Sequence, residues 1–319
     1  MNKFPDFTLA GVIPAAILPF EEDLAIDGAA YRKHLRDLAG VHGIAAVTIN
    51  AHATEVASCS FEEQRAVLDL SADEIGDSVP LIHGVYADGS LEAARIARMA
   101  AAGGAAALLV FPPNPYILGK NLEMVLTHFR HIAEATDLPL IAFQYPLAGG
   151  QGYPLDFLLK LIEEVPTIRA IKDWCNLVPQ HEKHIRVLQS LPRPVTVLST
   201  HSAWLLSSLV LGCNGLLSGM GSVAADLQLA LFQAVKAGDL RRAQAINDRL
   251  HPLAEAFYAD PFVDMHNRMK EALVALGRIP RATVRPPLVK LGAAEIARIR
   301  AALTKAEVRP EGAVLPAAA

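Results

Sequence analysis

Residues 80–113, PLIHGVYADGSLEAARIARMAAAGGAAALLVFPP, contain one complete copy of the pattern that decides the fold. An apolar run at 80–86 is followed by a segment with helical periodicity at 89–102 and by a second apolar run at 106–111. Both runs are almost continuously apolar, which is typical of parallel strands that are buried on both faces. The stretch therefore predicts a strand, a crossover helix and a second strand parallel to the first.

The same strand–helix unit occurs eight times between about residues 11 and 235. The predicted strands are 11–18, 44–50, 80–86, 106–111, 139–145, 168–173, 194–199 and 213–219. The predicted helices are 27–40, 61–76, 89–102, 121–136, 154–164, 179–190, 201–211 and 223–236. Alternating strands and helices imply right-handed crossovers, and eight similar units favour closure into an α/β (β/α)8 TIM barrel. A doubly wound open sheet is the alternative, but no G-x-G-x-x-G follows the first strand.

The strand pattern stops after residue 238, where a different kind of segment begins. Helical stretches follow at about 239–259, 263–277 and 293–304. We therefore expect the barrel over 1–237, a C-terminal helical appendage over 238–305, and a disordered tail over 306–319.

Polar residues mark the start of three predicted helices. Ser60 and Glu63 have the spacing of a capping box before the second helix. Asn121 and Ser202 are predicted to be the N-caps of the fourth and seventh helices.

Composition argues against several classes of protein. Hydrophobic residues make up 52% of the 319 residues, and the net charge of −4 comes with no cluster of Lys and Arg, so a nucleic-acid partner is not expected. No apolar run reaches the roughly 18 residues of a membrane span, and the stretch MNKFPDFTLAG lacks the apolar core of a signal peptide. Cys59, Cys175 and Cys213 are too scattered to predict a disulfide framework. We expect a cytoplasmic protein without a membrane partner.

Lys172 lies late in the sixth apolar run, in the segment Ala170-Ile171-Lys172-Asp173. Active sites of such barrels lie at the carboxyl ends of the strands. Burial disfavours the ammonium form and lowers the pKa of a lysine, which leaves a free amine able to attack a ketone and form a Schiff base. The plainer interpretation is that Lys172 reaches the rim or pairs with Asp173 or another carboxylate.

Short motifs at the strand ends resemble those of a known family. They are Gly11-Val12-Ile13-Pro14-Ala15 with Pro19-Phe20, Glu55, Gly84, Pro112-Pro113, Pro146, Gly150, Ile171-Lys172-Asp173, the stretch 212–218 and Arg285-Pro286-Pro287-Leu288. On these residues the chain resembles the dihydrodipicolinate synthase and N-acetylneuraminate lyase family from about residue 11 to 300. The resemblance implies a (β/α)8 barrel with a C-terminal helical extension, usually as a homodimer or homotetramer. It also implies that Lys172 forms a Schiff base with a 2-keto acid such as pyruvate.

The loop after the second strand departs from the family pattern. The family carries Gly-Thr-Thr-Gly-Glu or a close variant there, with amides and hydroxyls that hold the carboxylate of the keto acid. This chain has Ala51-His52-Ala53-Thr54-Glu55, so both hydroxyls are lost at the threonine positions. Backbone amides remain able to bind the carboxylate, but the side-chain relay must differ.

Three further positions depart from the family in the same direction. Phe143 stands where the family has a catalytic tyrosine, and it cannot transfer a proton. Ala148 stands where dihydrodipicolinate synthases have an arginine for the second substrate, and Leu18 replaces a threonine. These changes argue against dihydrodipicolinate synthase activity itself.

Two side chains are candidates to replace the lost tyrosine. Tyr145 lies two residues after Phe143, on the same face of the strand, and His52 is a side chain that titrates near neutral pH. The plainer interpretation is that Tyr145 only packs and that His52 only bonds a loop carbonyl. We predict Lys172, Tyr145 and His52 as catalytic residues. The predicted substrate-binding residues are Ala53, Thr54, Phe143, Leu217 and Ser218.

The resemblance and these departures from it together predict a lyase, acting as an aldolase, hydratase-aldolase or dehydratase, on pyruvate or another 2-keto acid, with an aldehyde as a possible co-substrate. The apolar replacements favour a substrate of low polarity. A barrel that binds 2-keto acids without catalysis is a second hypothesis, because Phe143 has no hydroxyl. A metal-dependent aldolase or hydrolase is a third hypothesis, with ligands drawn from His52, His83, His201 and Glu55. The pairs His128/His131 and His181/His184 are interpreted as lying on solvated helix faces. We expect no metal and no cofactor.

Overall fold

The strands form one parallel sheet that closes on itself. The computed structural model describes residues 3–4 and 7–309. Its strands are β1 Gly11–Pro14, β2 Val47–Ile49, β3 Leu81–Val85, β4 Ala107–Val110, β5 Leu140–Gln144, β6 Ile168–Asp173, β7 Thr196–Ser199 and β8 Gly215–Ser218. Their order in the sheet is β1-β8-β7-β6-β5-β4-β3-β2. The backbone of Ala16 donates to Thr48 O at 2.9 Å and joins the two outermost strands of this order, so the predicted (β/α)8 barrel is confirmed.

Helices connect the strands and continue after the barrel. They are α1 Gly28–Ala39, α2 Phe61–Ile75, α3 Ser90–Ala102, α4 Leu122–Ala133, α5 Leu155–Glu164, α6 Val178–Gln189, α7 Leu205–Val210, α8 Gly221–Lys236, α9 Leu240–Phe257, α10 Met265–Ala275 and α11 Ala293–Lys305. None of the helices in the described residues is both long enough and apolar enough to cross a membrane.

Side-chain caps begin two of the three helices for which they were predicted. The capping box of α2 is confirmed, because Glu63 N donates to Ser60 Oγ at 3.2 Å and Ser60 N donates to Glu63 Oε2 at 2.9 Å. Asn121 caps α4 by accepting from Met124 N at 2.9 Å. The prediction for Ser202 is wrong. A short 3-10 turn occupies Ser202–Trp204 before α7, and the Ser202 hydroxyl instead contacts Ser218 Oγ at 3.0 Å.

A glycine allows β2 and β3 to approach closely where the loop after β2 begins. A Cβ at Gly84 would lie 2.0 Å from Asn50 O, so no larger residue fits. The Asn50 side chain then donates to Gln64 O at 2.7 Å. These contacts fix the start of the loop that carries His52.

Helix α10 is tied to its neighbours by buried charged residues. Arg268 has no exposed surface and donates to Phe257 O at 3.1 Å and to Glu295 at 2.5 Å. Lys270, also without exposed surface, pairs with Glu55 in the loop after β2. The C-terminal helices are thereby joined to the barrel mouth. Of the predicted disordered tail, residues 310–319 lie outside the described residues, whereas Ala306 is buried and its carbonyl accepts from Arg249 Nε at 3.1 Å.

Candidate active site

A small cavity lies at the carboxyl end of the barrel, where the site was expected. Its volume is about 40 Å³. The loops and strands of the barrel contribute Ala15, Ala51, His52, Ala53, Phe143, Lys172, Trp174, Thr200 and Gly219. The C-terminal segment contributes Tyr258, Phe262, Met265 and His266. Apolar and aromatic side chains therefore surround one lysine and two imidazoles.

Lys172 is buried in this cavity without an acidic partner. Its side chain is 6% exposed, and Nζ lies 3.9 Å from the centre of the Phe143 ring on β5. Within the described part of the chain no carboxylate forms an ion pair with Lys172, and burial alone lowers its pKa to about 7. Pairing with Asp173 is ruled out, because that carboxylate accepts hydrogen bonds from His181 and His184 at 2.8 Å each. A substantial fraction of Lys172 is thus a free amine near neutral pH.

His52 and Tyr145 form a hydrogen-bonded pair beside the lysine. His52 Nε2 lies 3.0 Å from the Tyr145 hydroxyl. Burial and the nearby charge of Lys172 lower the pKa of His52 to about 3, and burial raises the pKa of Tyr145. Both groups are therefore neutral near pH 7. His52 lines the cavity, whereas Tyr145 lies behind it against the rings of Phe143 and Trp174, at 4.6 and 5.2 Å.

The loop after β2 begins with a short turn whose first residues line the cavity. A 3-10 turn covers His52–Thr54, and its first hydrogen bond runs from Thr54 N to Ala51 O at 3.1 Å. The amides of His52 and Ala53 precede that bond, and within the described residues no backbone carbonyl beyond this turn accepts from them. Ala53 lines the cavity. Thr54 does not, because its buried hydroxyl donates to Ala51 O at 2.8 Å.

Two predicted substrate-binding residues on β8 do not reach the cavity. Leu217 is fully buried within the barrel. The Ser218 hydroxyl contacts Ser202 at 3.0 Å and accepts from Gln228 Nε2 at 3.2 Å. Gly219, the next residue, forms the cavity wall at this strand. A Cβ there would lie 2.7 Å from His266 Nε2, so glycine is what allows this imidazole to approach.

One wall of the cavity is formed by residues that were not among the predicted site residues. Trp174 stacks on Phe262 with ring centroids 5.2 Å apart, and Phe262 lies 5.8 Å from Tyr258. His266 on α10 is 9% exposed and lies 6.4 Å from His52, ring to ring. Trp174 follows Lys172 by two residues, so strand alternation would have predicted it. No sequence signal connects residues 258–266 to the barrel mouth.

The histidines considered as metal ligands are not brought together. His83 Nε2 contacts Asn50 Nδ2 at 2.8 Å, and Glu55 pairs with Lys270. His201 lies in the loop after β7 and packs against the His181 ring at 4.7 Å, outside the cavity that His52 lines. Assignment of His128, His181 and His184 to solvated faces is wrong, since all three are buried.

Comparison with known proteins identifies the family. The family model described as the dihydrodipicolinate synthetase family matches residues 8–306. The chain belongs to this family. Members of the dihydrodipicolinate synthetase family are lyases, and so is this chain.

Two curated relatives illustrate the range of the family. The 4-hydroxy-tetrahydrodipicolinate synthase of Methanopyrus kandleri is 30% identical over 309 residues, which cover 96% of this chain and 99% of the relative. An uncharacterized DapA-like lyase of Halobacterium salinarum is 29% identical over 257 residues, 80% of this chain and 81% of the relative.

Solved structures support the fold. YagE, a prophage protein of this family from E. coli K12 in complex with pyruvate, superposes with a TM-score of 0.87 at 24% identity, covering 94% of this chain and 99% of YagE. A monomeric dihydrodipicolinate synthase variant superposes with a TM-score of 0.87 at 20% identity, covering 95% of this chain and 99% of the variant. At these identities the likeness concerns the barrel and its C-terminal helices.

Proposed function

We propose that this chain is a Schiff-base-forming lyase in which Lys172 attacks pyruvate or another 2-keto acid. The observation that carries the proposal is the position of Lys172, which is buried at the barrel mouth with a pKa lowered to about 7 and no carboxylate beside it. The pyruvate complex of the structurally similar YagE supports this choice of substrate.

The reaction starts with addition of the Lys172 amine to the keto carbon. Loss of water from the adduct leaves a protonated imine, which draws electrons from the neighbouring carbon. Loss of a proton from that carbon to a base gives an enamine, whose carbon attacks an aldehyde to form a new carbon–carbon bond. The resulting alkoxide takes up a proton from the protonated base, and water then hydrolyses the imine to release the product and the Lys172 amine. The same steps in reverse cleave the bond.

His52 and Tyr145 serve as the proton relay for these steps. In a neutral imidazole one ring nitrogen can accept a proton while the other nitrogen donates one. When His52 takes a proton from the substrate at one nitrogen, it can therefore pass a proton from the other nitrogen to the phenol oxygen of Tyr145. The 3.0 Å contact between His52 Nε2 and the Tyr145 hydroxyl has the length needed for transfer. His52 faces the substrate, so Tyr145 acts through it. The amides of His52 and Ala53 hold the substrate carboxylate.

The second substrate is an aldehyde of low polarity. The cavity wall is formed mainly by apolar and aromatic side chains, including Phe143, Trp174, Phe262 and Met265. Of the polar side chains in the lining, His52 is bonded to Tyr145 and the Tyr258 hydroxyl accepts from Ser202 at 3.0 Å. Few hydrogen-bond partners are left for a polyhydroxylated substrate, which such a site cannot strongly favour. In a screen of aldehydes with pyruvate, we expect aromatic and alkyl aldehydes to give higher kcat/KM than sugars. Preference for sugar acids would overturn this assignment.

True dihydrodipicolinate synthase activity is not expected, although curated relatives have that name. Phe143 carries no hydroxyl, and Ala148 lies in an exposed turn at Leu147–Gly149 rather than at the cavity. An assay for 4-hydroxy-tetrahydrodipicolinate should show turnover near background. We further propose that the chain forms a homodimer or homotetramer, which sedimentation velocity would test.

Borohydride trapping tests the central proposal. The protein is incubated with pyruvate, reduced, digested and mapped by mass spectrometry beside Lys172→Ala. We expect one adduct, on Lys172. Absence of an adduct from folded wild-type protein, with pyruvate and with a panel of 2-keto acids, would overturn the Schiff-base mechanism.

Phe143 also supports a second candidate, a barrel that binds 2-keto acids but no longer turns them over. Such a protein would give the adduct on Lys172 but no product with any aldehyde. Phe143→Tyr distinguishes the two, because the ring lies 3.9 Å from Lys172 Nζ. Turnover that appears only in Phe143→Tyr would favour the binding protein.

A further inference from the structure

Four potential metal ligands meet on the side of β6 that faces away from Lys172. They are Asp173, Cys175, His181 and His201, and one ligand atom from each lies within 4.8 Å of all the others. All four side chains are buried. They come from three segments, namely the end of β6 with the loop after it, helix α6, and the loop after β7.

Alternation along the chain separates this cluster from the active site. Lys172, Trp174 and Thr200 line the catalytic cavity, whereas the residues that follow each of them, Asp173, Cys175 and His201, do not. The cluster is therefore a distinct site, packed between the sheet and the helices.

Both imidazoles are already oriented as metal ligands are. A histidine that binds a metal through one nitrogen usually donates from the other to a hydroxyl, carbonyl or carboxylate. His181 Nε2 lies 2.7 Å from Ser208 Oγ, and His201 Nδ1 lies 3.4 Å from Ser199 Oγ. His181 Nδ1 and His201 Nε2 then face Asp173 and Cys175, at 2.8 and 3.8 Å, and His201 Nε2 also accepts a hydrogen bond from Asn176 N at 3.2 Å.

The spacing and the charge suit zinc. Bond lengths of about 2.3 Å to sulfur and about 2.0 Å to nitrogen, at a tetrahedral angle, separate the two ligand atoms by about 3.5 Å. The Cys175 Sγ to His201 Nε2 distance is 3.8 Å. One carboxylate and one thiolate would neutralise Zn²⁺, and the thiol would release its proton on binding. The Trp204 ring stacks on His201 at 4.0 Å and helps keep the site dry.

We propose that Asp173, Cys175, His181 and His201 bind one zinc ion. Four protein ligands leave no open position, so the ion is structural and takes no part in the reaction. It ties β6, α6 and the loop after β7 together directly behind Lys172. A hydrogen-bond network without metal is the competing account, because Asp173 also accepts from His184 at 2.8 Å and from Cys175 N at 2.9 Å.

Metal titration of the unmodified full chain tests the proposal without any variant. The protein is stripped with chelator, incubated with Zn²⁺ or Co²⁺, desalted and assayed for bound metal. We expect about one ion per chain and, with Co²⁺, a thiolate-to-cobalt charge-transfer band together with tetrahedral d–d absorption. No retained metal, or retained metal without the thiolate band, would overturn the proposal.

Two cysteine variants, one at a proposed ligand and one at another buried thiol, test the ligand assignment. Cys175→Ser should abolish the charge-transfer band and weaken zinc binding at least about tenfold. Cys213→Ser removes another buried thiol, which contacts Ser208 at 3.4 Å but is not a ligand, and should keep the band. Equal loss in both variants, with circular dichroism showing both folded, would contradict the ligand assignment.

Discussion

Two buried lysines, Lys172 in the barrel and Lys270 on α10, both lie against an aromatic ring but differ in their charged neighbours. The Lys172 ammonium lies 3.9 Å from the Phe143 ring, and that of Lys270 lies 4.2 Å from the Phe20 ring. Lys270 also pairs with Glu55 and donates to Thr283 O at 2.8 Å. Burial lowers the pKa of both lysines, but only at Lys270 does a carboxylate oppose the effect.

The difference shows how position decides between a reactive amine and a structural ammonium. Asp173, the carboxylate next to Lys172 in sequence, faces the other side of the strand and bonds to His181 and His184. Glu55, far from Lys270 in sequence, reaches it because the loop after β2 turns at Glu55 with a φ of 51°. A lysine without a counter-ion can lose its proton, whereas a paired lysine holds the C-terminal helices on the barrel.

The largest expected effect is on covalent chemistry at Lys172. Lys172→Met keeps a similar volume and should abolish the pyruvate adduct completely, because no amine remains in the cavity. Lys270→Arg should keep the adduct, since Lys270 is held as an ammonium by Glu55. Trapping with borohydride and mass mapping measures both, and a persistent adduct in Lys172→Met would contradict the comparison.

The second largest expected effect is on proton transfer beside Lys172. Tyr145→Phe is expected to lower kcat about 10²- to 10⁴-fold, while the adduct on Lys172 still forms. Tyr86→Phe is the matched control, because the Tyr86 ring lies 6.3 Å from His52 but its hydroxyl accepts from Asn114 at 3.0 Å. Equal kcat in the two variants would show that Tyr145 takes no part in proton transfer.

The free energy of unfolding should depend more on Lys270 than on Lys172, which is the reverse of what we expect for the adduct. Lys270→Met leaves the Glu55 carboxylate, 6% exposed, without its cation and should lower the free energy of unfolding by about 3–5 kcal/mol. Lys172→Met leaves no charge unpaired and should leave that free energy unchanged or raise it. Urea denaturation compares them. A larger loss in Lys172→Met would show that Lys172 is a structural ammonium.

The pH dependence of imine formation should give the smallest effect. Since the pKa of Lys172 is lowered to about 7, the free amine dominates above that pH and the ammonium below it. The rate of adduct formation, trapped with cyanoborohydride, should rise about tenfold from pH 6 to pH 8 and then level off. A rate that keeps rising towards pH 10 would indicate an unperturbed lysine.

Several features were accessible from sequence because their signals are local. The buried strands were predicted from continuous apolar runs, and the caps at Ser60 and Asn121 depend on residues three apart. The buried face of α6 could also have been predicted from the sequence, but its histidines were assigned to a solvated face. His181, His184, Ile185 and Leu188 form an i, i+3, i+4, i+7 stripe, and all four are buried. The histidines belong to that stripe rather than to a solvated face.

The sequence by itself determined the barrel, its family and the position of Lys172 on a buried strand, because each depends on residues close together in the chain. Only the tertiary structure decided what surrounds that lysine. The contact of His52 with Tyr145, the approach of His266 past Gly219, and the pairing of Glu55 with Lys270 join segments far apart in sequence. The free energy of a buried charge depends on its neighbours in space, so these contacts set the chemistry that the sequence pattern could only suggest.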